Sequence, residues 1–239
     1  MRQSALKIEP ELSQSSSADH IRLEGVGEFR FSPEVVVISD PQGARAEAIR
    51  TLRTHIVAQH LDAGRRGLAI CGASAGVGAT FVAVNLAIAL AQVGVKVLLI
   101  DGDLRNSQMR ALIEPKESTL GLRECLEGQA QDLSAFVQAD VLENFSLMYS
   151  GSSASNAQEL IASERFAQVI ARCSRDYDIV IVDTPPANTC ADGRRISTVV
   201  GYSVIVAKRH VSFVGDLKTL ADQLRTDRAQ IVGSVLNEE

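Results

Sequence analysis

The sequence predicts an α/β domain: a doubly wound, mostly parallel sheet with helices on both faces. Three observations predict it. The runs VKVLLID, DIVIVD and YSVIVAK are apolar at nearly every position rather than at alternate ones, as in strands covered on both faces. Segments with three- and four-residue apolar spacing alternate with those runs. Glycines and aspartates cluster where the runs end, the edge at which open α/β sheets bind ligands. With 239 residues, the chain suits one such domain plus a tail.

Residues 1–40 are polar and mixed, with a serine run at Ser15, Ser16 and Ser17, and are expected to form a flexible arm ahead of a domain over 41–239. The short apolar stretch Val35 to Ile38 is a candidate edge strand, and Pro41 and Gly43 then punctuate the chain. A helix is expected over 44–61, with Ile49, Leu52, Ile56 and Val57 on its buried face. Glu47, Arg50 and Arg53 share another face, where an i,i+3 pair contributes about 0.2–0.5 kcal/mol. The strand GLAIC follows, then a helix over 79–92 whose apolar stretch has one polar interruption, Asn85. Strands are expected at 95–101, 145–150, 178–183, 202–208 and 230–236, with helices over 159–175 and 216–225.

Composition excludes several functions. Net charge is −5 and Trp is absent, so there is neither a basic footprint nor a stacking platform for nucleic acid. Cys71, Cys125, Cys173 and Cys190 are widely spaced, giving no zinc or redox motif. Three of the four lie in or beside apolar runs and are expected to be buried thiols. No apolar run reaches the roughly 18–20 residues of a membrane span, and the start lacks the apolar segment of a signal peptide. The expected location is the cytoplasm, with the membrane reached only through a partner.

Three motifs carry chemistry. Gly72-Ala73-Ser74-Ala75-Gly76-Val77-Gly78-Ala79-Thr80 joins a strand to a helix. Small residues there let backbone N–H groups converge on phosphate oxygens at a helix N-terminus, and Thr80 would place its hydroxyl on Mg²⁺. The strict pattern has lysine before that threonine; Ala79 stands in its place. Asp101 and Asp103 follow the next strand, suited to Mg²⁺ and to activating water or a hydroxyl. Asp183 ends DIVIVD, as a Walker B aspartate does, with Thr184, Pro185 and Pro186 stiffening the loop behind it.

Together these residues resemble the bacterial tyrosine-kinase (BY-kinase) family of the CpsD/CapB capsular exopolysaccharide type, within the P-loop ATPases that include MinD and ParA. Glu47, Arg50 and Arg53 match that family's E-x-x-R-x-x-R helix, and Asp101-Gly-Asp103-Leu-Arg105 its Walker A′ motif. Gly121-Leu with Leu126 and Gly128, and Gly151 through Asn156 to Leu160, resemble two further segments, with Ala157 replacing a proline. Tyr177 through Pro186 matches its Walker B segment, and Val235-Leu236-Asn237 fits its last strand. The resemblance implies ATP or ADP with Mg²⁺ as cofactors, bound at Ser74, Ala75, Gly76, Val77, Gly78, Ala79, Thr80, Phe81 and Arg105. It implies metal contacts from Thr80, Asp103 and Asp183, and catalytic roles for Asp101 and Asp103. It also implies self-association through the 44–61 helix, with Glu47, Arg50 and Arg53 at the interface. The implied partner is a transmembrane polysaccharide co-polymerase, in regulating polysaccharide length and export.

Two departures bear on the activity. Ala79 removes a cation worth about 1.5–3 kcal/mol to a bound phosphate, about one to two decades of affinity, and more in the transition state. The MinD and ParA loop carries an extra lysine that would align at Ser74; that lysine is absent too. Tyr149, Tyr177 and Tyr202 are the only tyrosines, all in or next to expected strands rather than in a tail. Three readings follow. One is a regulatory pseudokinase. Another is an active kinase or ATPase using Arg105, Arg194, Lys208 or Arg209 as substitute cation. The third is a ParA- or MinD-like positioning ATPase.

Overall fold

The computed structural model describes residues 29–128 and 132–238. In chain order the elements are β1 (Phe29–Phe31), α1 (Val36–Ser39), α2 (Ala44–Ile56), β2 (Gly67–Gly72), α3 (Ala79–Ala91), β3 (Val97–Asp101), α4 (Met109–Leu112) and β4 (Ile113–Pro115). There follow α5 (Leu122–Glu127), β5 (Gln138–Leu142), β6 (Phe145–Met148), α6 (Ala157–Ala162), α7 (Glu164–Asp176), β7 (Ile179–Asp183), α8 (Asp192–Val200), β8 (Tyr202–Lys208), α9 (Val214–Thr226) and β9 (Gln230–Asn237).

Seven strands form one sheet in the order β5-β6-β3-β7-β2-β8-β9. Every neighbouring pair is parallel except β5 with β6. The central strands β2, β3 and β7 are buried at every position, which is why their sequences do not alternate. One apolar cluster, with Ile49, Ile56, Leu86 and Leu90, packs α2 and α3 on one face. A second, with Cys125, Phe166, Ile196 and Leu224, packs α5 through α9 on the other. α3 is buried continuously from Val82 to Ala91, so it has no solvent stripe.

Asn85, the polar break in that helix, is fully buried and hydrogen-bonded on both sides of its amide. Its Oδ1 accepts from the Val37 N–H at 3.2 Å, and its Nδ2 donates to the Glu34 and Phe81 carbonyls, each at 3.0 Å. This bond set corrects the expectation for Val35 to Ile38. The segment makes one helical turn, α1, on top of α3 instead of an edge strand, because Val35, Val36 and Val37 bury there. Residues 29–40 accordingly pack on the domain rather than extending from it. Phe31 is buried, and β1 pairs antiparallel with β4. The remainder of the expected arm, including the serine run, lies outside the described residues.

Two further boundaries differ. The helix expected over 159–175 is two helices, α6 and α7. Ser163 adopts extended geometry and its hydroxyl accepts from the Phe166 N–H at 3.3 Å, capping α7. The helix expected over 44–61 is α-helical to Ile56 and continues as a π-helical turn, Val57–Leu61. Cys71, Cys125 and Cys173 are buried as expected, and burial pushes the Cys173 thiol up to about 12. Among the described residues no helix is long and apolar enough to cross a membrane.

His60 sits buried on the π-helical turn, edge-on to the Tyr202 ring at 4.9 Å. Its Nε2–H donates to the Gly67 carbonyl at 2.9 Å, while its buried Nδ1 has no partner. Burial holds its pKa below the ordinary 6.5, outweighing the Gly67 bond, and the Arg65 charge adds to the lowering. The unfolded chain therefore takes a proton that the fold refuses, and stability is lost as pH falls below about 6.5. Thermal unfolding midpoints should drop between about pH 7.5 and about pH 5.5 in the wild type, and drop less in His60→Gln. Asn85→Leu leaves the Val37 N–H and Glu34 carbonyl unpaired and should cost about 2–3 kcal/mol in urea unfolding.

Candidate functional site

The three motif-bearing strands lie side by side as β3-β7-β2. Asp101 and Asp183 are the last residues of β3 and β7 and face each other in register; Ile70 of β2 is also in register with Asp183. Parallel pairing alone thus delivers both carboxylates and the glycine-rich turn to one edge. In that turn Gly76 and Gly78 have φ of +76° and +88°, the left-handed region that suits glycine. Gly78 is the N-cap of α3, so the first-turn N–H groups of the helix open toward the turn. The turn is braced by three hydrogen bonds, two from the loop after β7 and one from the end of β9. Ala187 N–H donates to the Gly72 carbonyl and Asn188 N–H to the Ala73 carbonyl, each at 3.0 Å, and Asn237 Nδ2 reaches the Val77 carbonyl at 3.2 Å.

Asp183 is 2 % exposed, and its Oδ1 has no hydrogen-bond partner. Burial first, then the neighbouring Asp101 charge, raises its pKa well above the ordinary carboxylate value, while a hydrogen bond from Thr80 opposes the rise. Asp101 is also fully buried, and burial pushes it up to about 6. Its carboxylate accepts from the Ser107 hydroxyl and, at 3.1 Å, from the Asp103 N–H. Asp103 Oδ1 accepts from the Arg105 and Asn106 N–H groups at 3.0 and 2.9 Å. Two buried acids with raised pKa, one carrying an orphaned oxygen beside a threonine hydroxyl, fit a divalent cation. Among the described residues no three His, Cys, Asp or Glu side chains form a metal cage. A Mg²⁺ that keeps waters and phosphate oxygens as ligands needs none.

The sequence-predicted residues fall unevenly on this geometry. Ser74 through Phe81 all lie on the β2–α3 turn and the first turn of α3, with Val77 turned into the core so that only its backbone faces the loop. Phe81 packs beneath the Arg45 guanidinium at 4.6 Å. Arg105 places its Nε on Asp192 Oδ2 at 3.0 Å. Arg194 pairs with Asp227 at 2.7 Å and Arg209 with Glu238 at 3.5 Å, while Lys208 ends β8 in register with Asn237. On α2, Arg50 is bonded to Glu47 at 2.9 Å and to the Pro41 carbonyl, and Arg53 reaches the Ala89 carbonyl at 3.4 Å. Tyr149 is fully buried with its hydroxyl on the Ile113 carbonyl at 2.7 Å. Tyr177 and Tyr202 are half-buried beneath Lys96 and Arg65. Sequence reasoning missed Ser107, Asp192 and the bracing by Asn188. None belongs to a spaced motif, and each acts through a contact distant in the chain or within an irregular loop.

Comparison with known proteins agrees with this geometry. The family model described as an AAA domain matches residues 66–223. The tyrosine-protein kinase YwqD of Bacillus subtilis (strain 168) is 30 % identical over 208 residues, covering 87 % of each chain. The tyrosine-protein kinase wzc of Salmonella typhi is 31 % identical over 90 % of this chain, which spans only 30 % of that protein. The solved kinase domain of the Escherichia coli tyrosine kinase ETK superposes with a TM-score of 0.79 at 28 % identity, over 95 % of this chain and 84 % of that one.

Proposed function

Because this chain belongs to the bacterial tyrosine-kinase family of P-loop proteins, we propose that it is a nucleotide-binding regulatory member whose phosphoryl transfer is weakened or lost. The observation that carries this reading is Ala79, the methyl group that stands where the loop's cation belongs. Of the four candidate substitute cations, Arg105, Arg194 and Arg209 are already in ion pairs with Asp192, Asp227 and Glu238. Each of these three would have to share its guanidinium between that carboxylate and a phosphate, or give the carboxylate up.

The remaining parts suit binding. Backbone N–H groups of the turn and the N-terminus of α3 would receive the phosphates. Thr80, Asp103 and Asp183 would hold Mg²⁺, directly or through water. When bound, ATP–Mg²⁺ supplies the transferable phosphoryl group and the positive charge that the buried acids lack. That positive charge would offset the burial, and the weaker repulsion from neighbouring carboxylates, that raise the pKa values of Asp183 and Asp101. Asp101 keeps the Asp103 loop in place through its backbone bond, and Ser107 keeps Asp101 in place. Without a cation at position 79, developing charge on the transferred group goes uncompensated on one side, and that term acts chiefly on the rate.

The same proposal includes a setting: capsule or exopolysaccharide synthesis and export, at the membrane through a polysaccharide co-polymerase. It also includes self-association through α2. A second reading, an active kinase or ATPase with a recruited cation, draws support from the intact set Asp101, Asp103 and Asp183.

Calorimetric titration of ATP–Mg²⁺ separates the two. The wild type should bind about 10–100-fold more weakly than Ala79→Lys, with phosphate release only in the variant. Phosphotyrosine formed by the purified wild type would reject the regulatory reading. For α2, light scattering should show a smaller mass for the Arg50→Ala, Arg53→Ala double variant; an unchanged mass would leave the arginines a purely intrachain role.

A further inference from the structure

At the pole opposite the glycine-rich turn, the starts of β2 and β8 open onto a cavity of about 620 Å³. β2 separates the two poles: Gly67 lines the cavity and Gly72 begins the turn, about 17 Å away at the rise of a strand. The cavity floor is apolar, made by Ile170 of α7 and Val199 and Val200 of α8. Its polar rim is basic, with Arg65, Arg66 and Arg195, and no acidic side chain lines it among the described residues. In a chain of net charge −5 that is a local reversal of sign.

Each rim arginine has an identifiable structural anchor. Arg65 reaches the Gln59 carbonyl at 3.3 Å, Arg66 the Ser174 and Tyr177 carbonyls at 3.4 and 3.3 Å, and Arg195 the Ala162 carbonyl at 3.5 Å. These are long bonds to carbonyls near helix ends, and a guanidinium carries more donors than they use. Arg66 and Arg195 are exposed, and Arg65 lies over the Tyr202 ring at 4.9 Å. All three arginines line the opening, and each has donors left over for an anion. A volume of this size accommodates a ligand as large as a nucleotide or a lipid headgroup with its glycerol.

The geometry points to a second ligand site here, for a phosphate-bearing molecule whose apolar or ring portion lies on the Ile170–Val199–Val200 floor while its phosphate meets Arg65, Arg66 and Arg195. Planar, multidentate recognition of phosphate is what grouped guanidiniums do best. The site is independent of the turn at Ser74–Thr80 and of any turnover there. A free phosphorylated compound and an anionic lipid headgroup share this chemistry, and the test distinguishes them.

The full chain without Mg²⁺ is titrated with inorganic pyrophosphate and, separately, sedimented with phosphatidylglycerol or phosphatidylcholine vesicles. Because the backbone N–H groups of the turn can also hold phosphate, only the binding lost in Ala171→Glu counts toward this site. Ala171→Glu, at an exposed α7 position lining the cavity, adds a negative charge with a good helix former and keeps the arginine anchors. An Arg66→Gln, Arg195→Gln double variant removes two of the cations. Pyrophosphate binding that both variants weaken at least about tenfold identifies a free phosphate ligand. Sedimentation with phosphatidylglycerol alone, lost in Ala171→Glu, identifies a lipid headgroup. If neither probe binds, or if binding is unchanged in Ala171→Glu, the proposal is overturned. Should the double arginine variant fail to fold, Ala171→Glu alone decides.

Discussion

The Asp101–Asp183 pairing across β3 and β7 is the constraint on which the rest of the site depends. Two carboxylates enter the same buried edge because parallel strands in register leave them nowhere else to go. Burial above all, with the Asp101 charge added at Asp183 and the Asp103 charge added at Asp101, makes their charged forms costly, and the raised pKa values of both express that cost. Everything nearby answers to it. Ser107 and the Asp103 backbone donate to one carboxylate, Thr80 to the other, and one Asp183 oxygen is left unsatisfied. Such a site stores an affinity for positive charge, and the fold holds it without Lys or Arg at position 79.

That arrangement bears on how a degenerate loop can persist in a working protein. Phosphate binding at a helix N-terminus is mostly a backbone property, and Ala79 contributes its N–H as well as a lysine would. In the proposed reading, metal binding would lie with Thr80, Asp103 and Asp183. The missing side chain is the one part whose effect falls mainly on the transition state. On the proposed function, ground-state recognition and turnover would be separable by a single residue, whereas loss of Asp183 or of the left-handed geometry at Gly78 would damage both.

The sheet and its motif order were legible because burial on both faces writes itself into uninterrupted apolar runs; YSVIVAK matches β8 residue for residue. The turn and the three aspartates were legible because their spacing is local. Val35 to Ile38 was not, since four apolar residues fit a strand or a helical turn equally, and the decision rests with Asn85, about fifty positions later in the chain. The break at Ser163 was hidden by an apolar pattern that runs on through it, although a serine ahead of Glu164 is an ordinary helix start. β4, β5 and α4 are too short for periodicity to register. Asp192 was silent because its role, holding Arg105, exists only once α8 docks beside the β3 edge.

The bond from Asn237 to the Val77 carbonyl joins residues 160 positions apart. The glycine-rich turn is thus encoded early and completed late. A nascent chain that has already formed β2 and α3 still lacks the strand that braces the loop between them. Closing so long a stretch carries an entropic cost, and the brace forms only when β9 pairs with β8 and completes the sheet. Whatever the turn does is thereby tied to the docking of β9 on β8 at the far edge of the sheet.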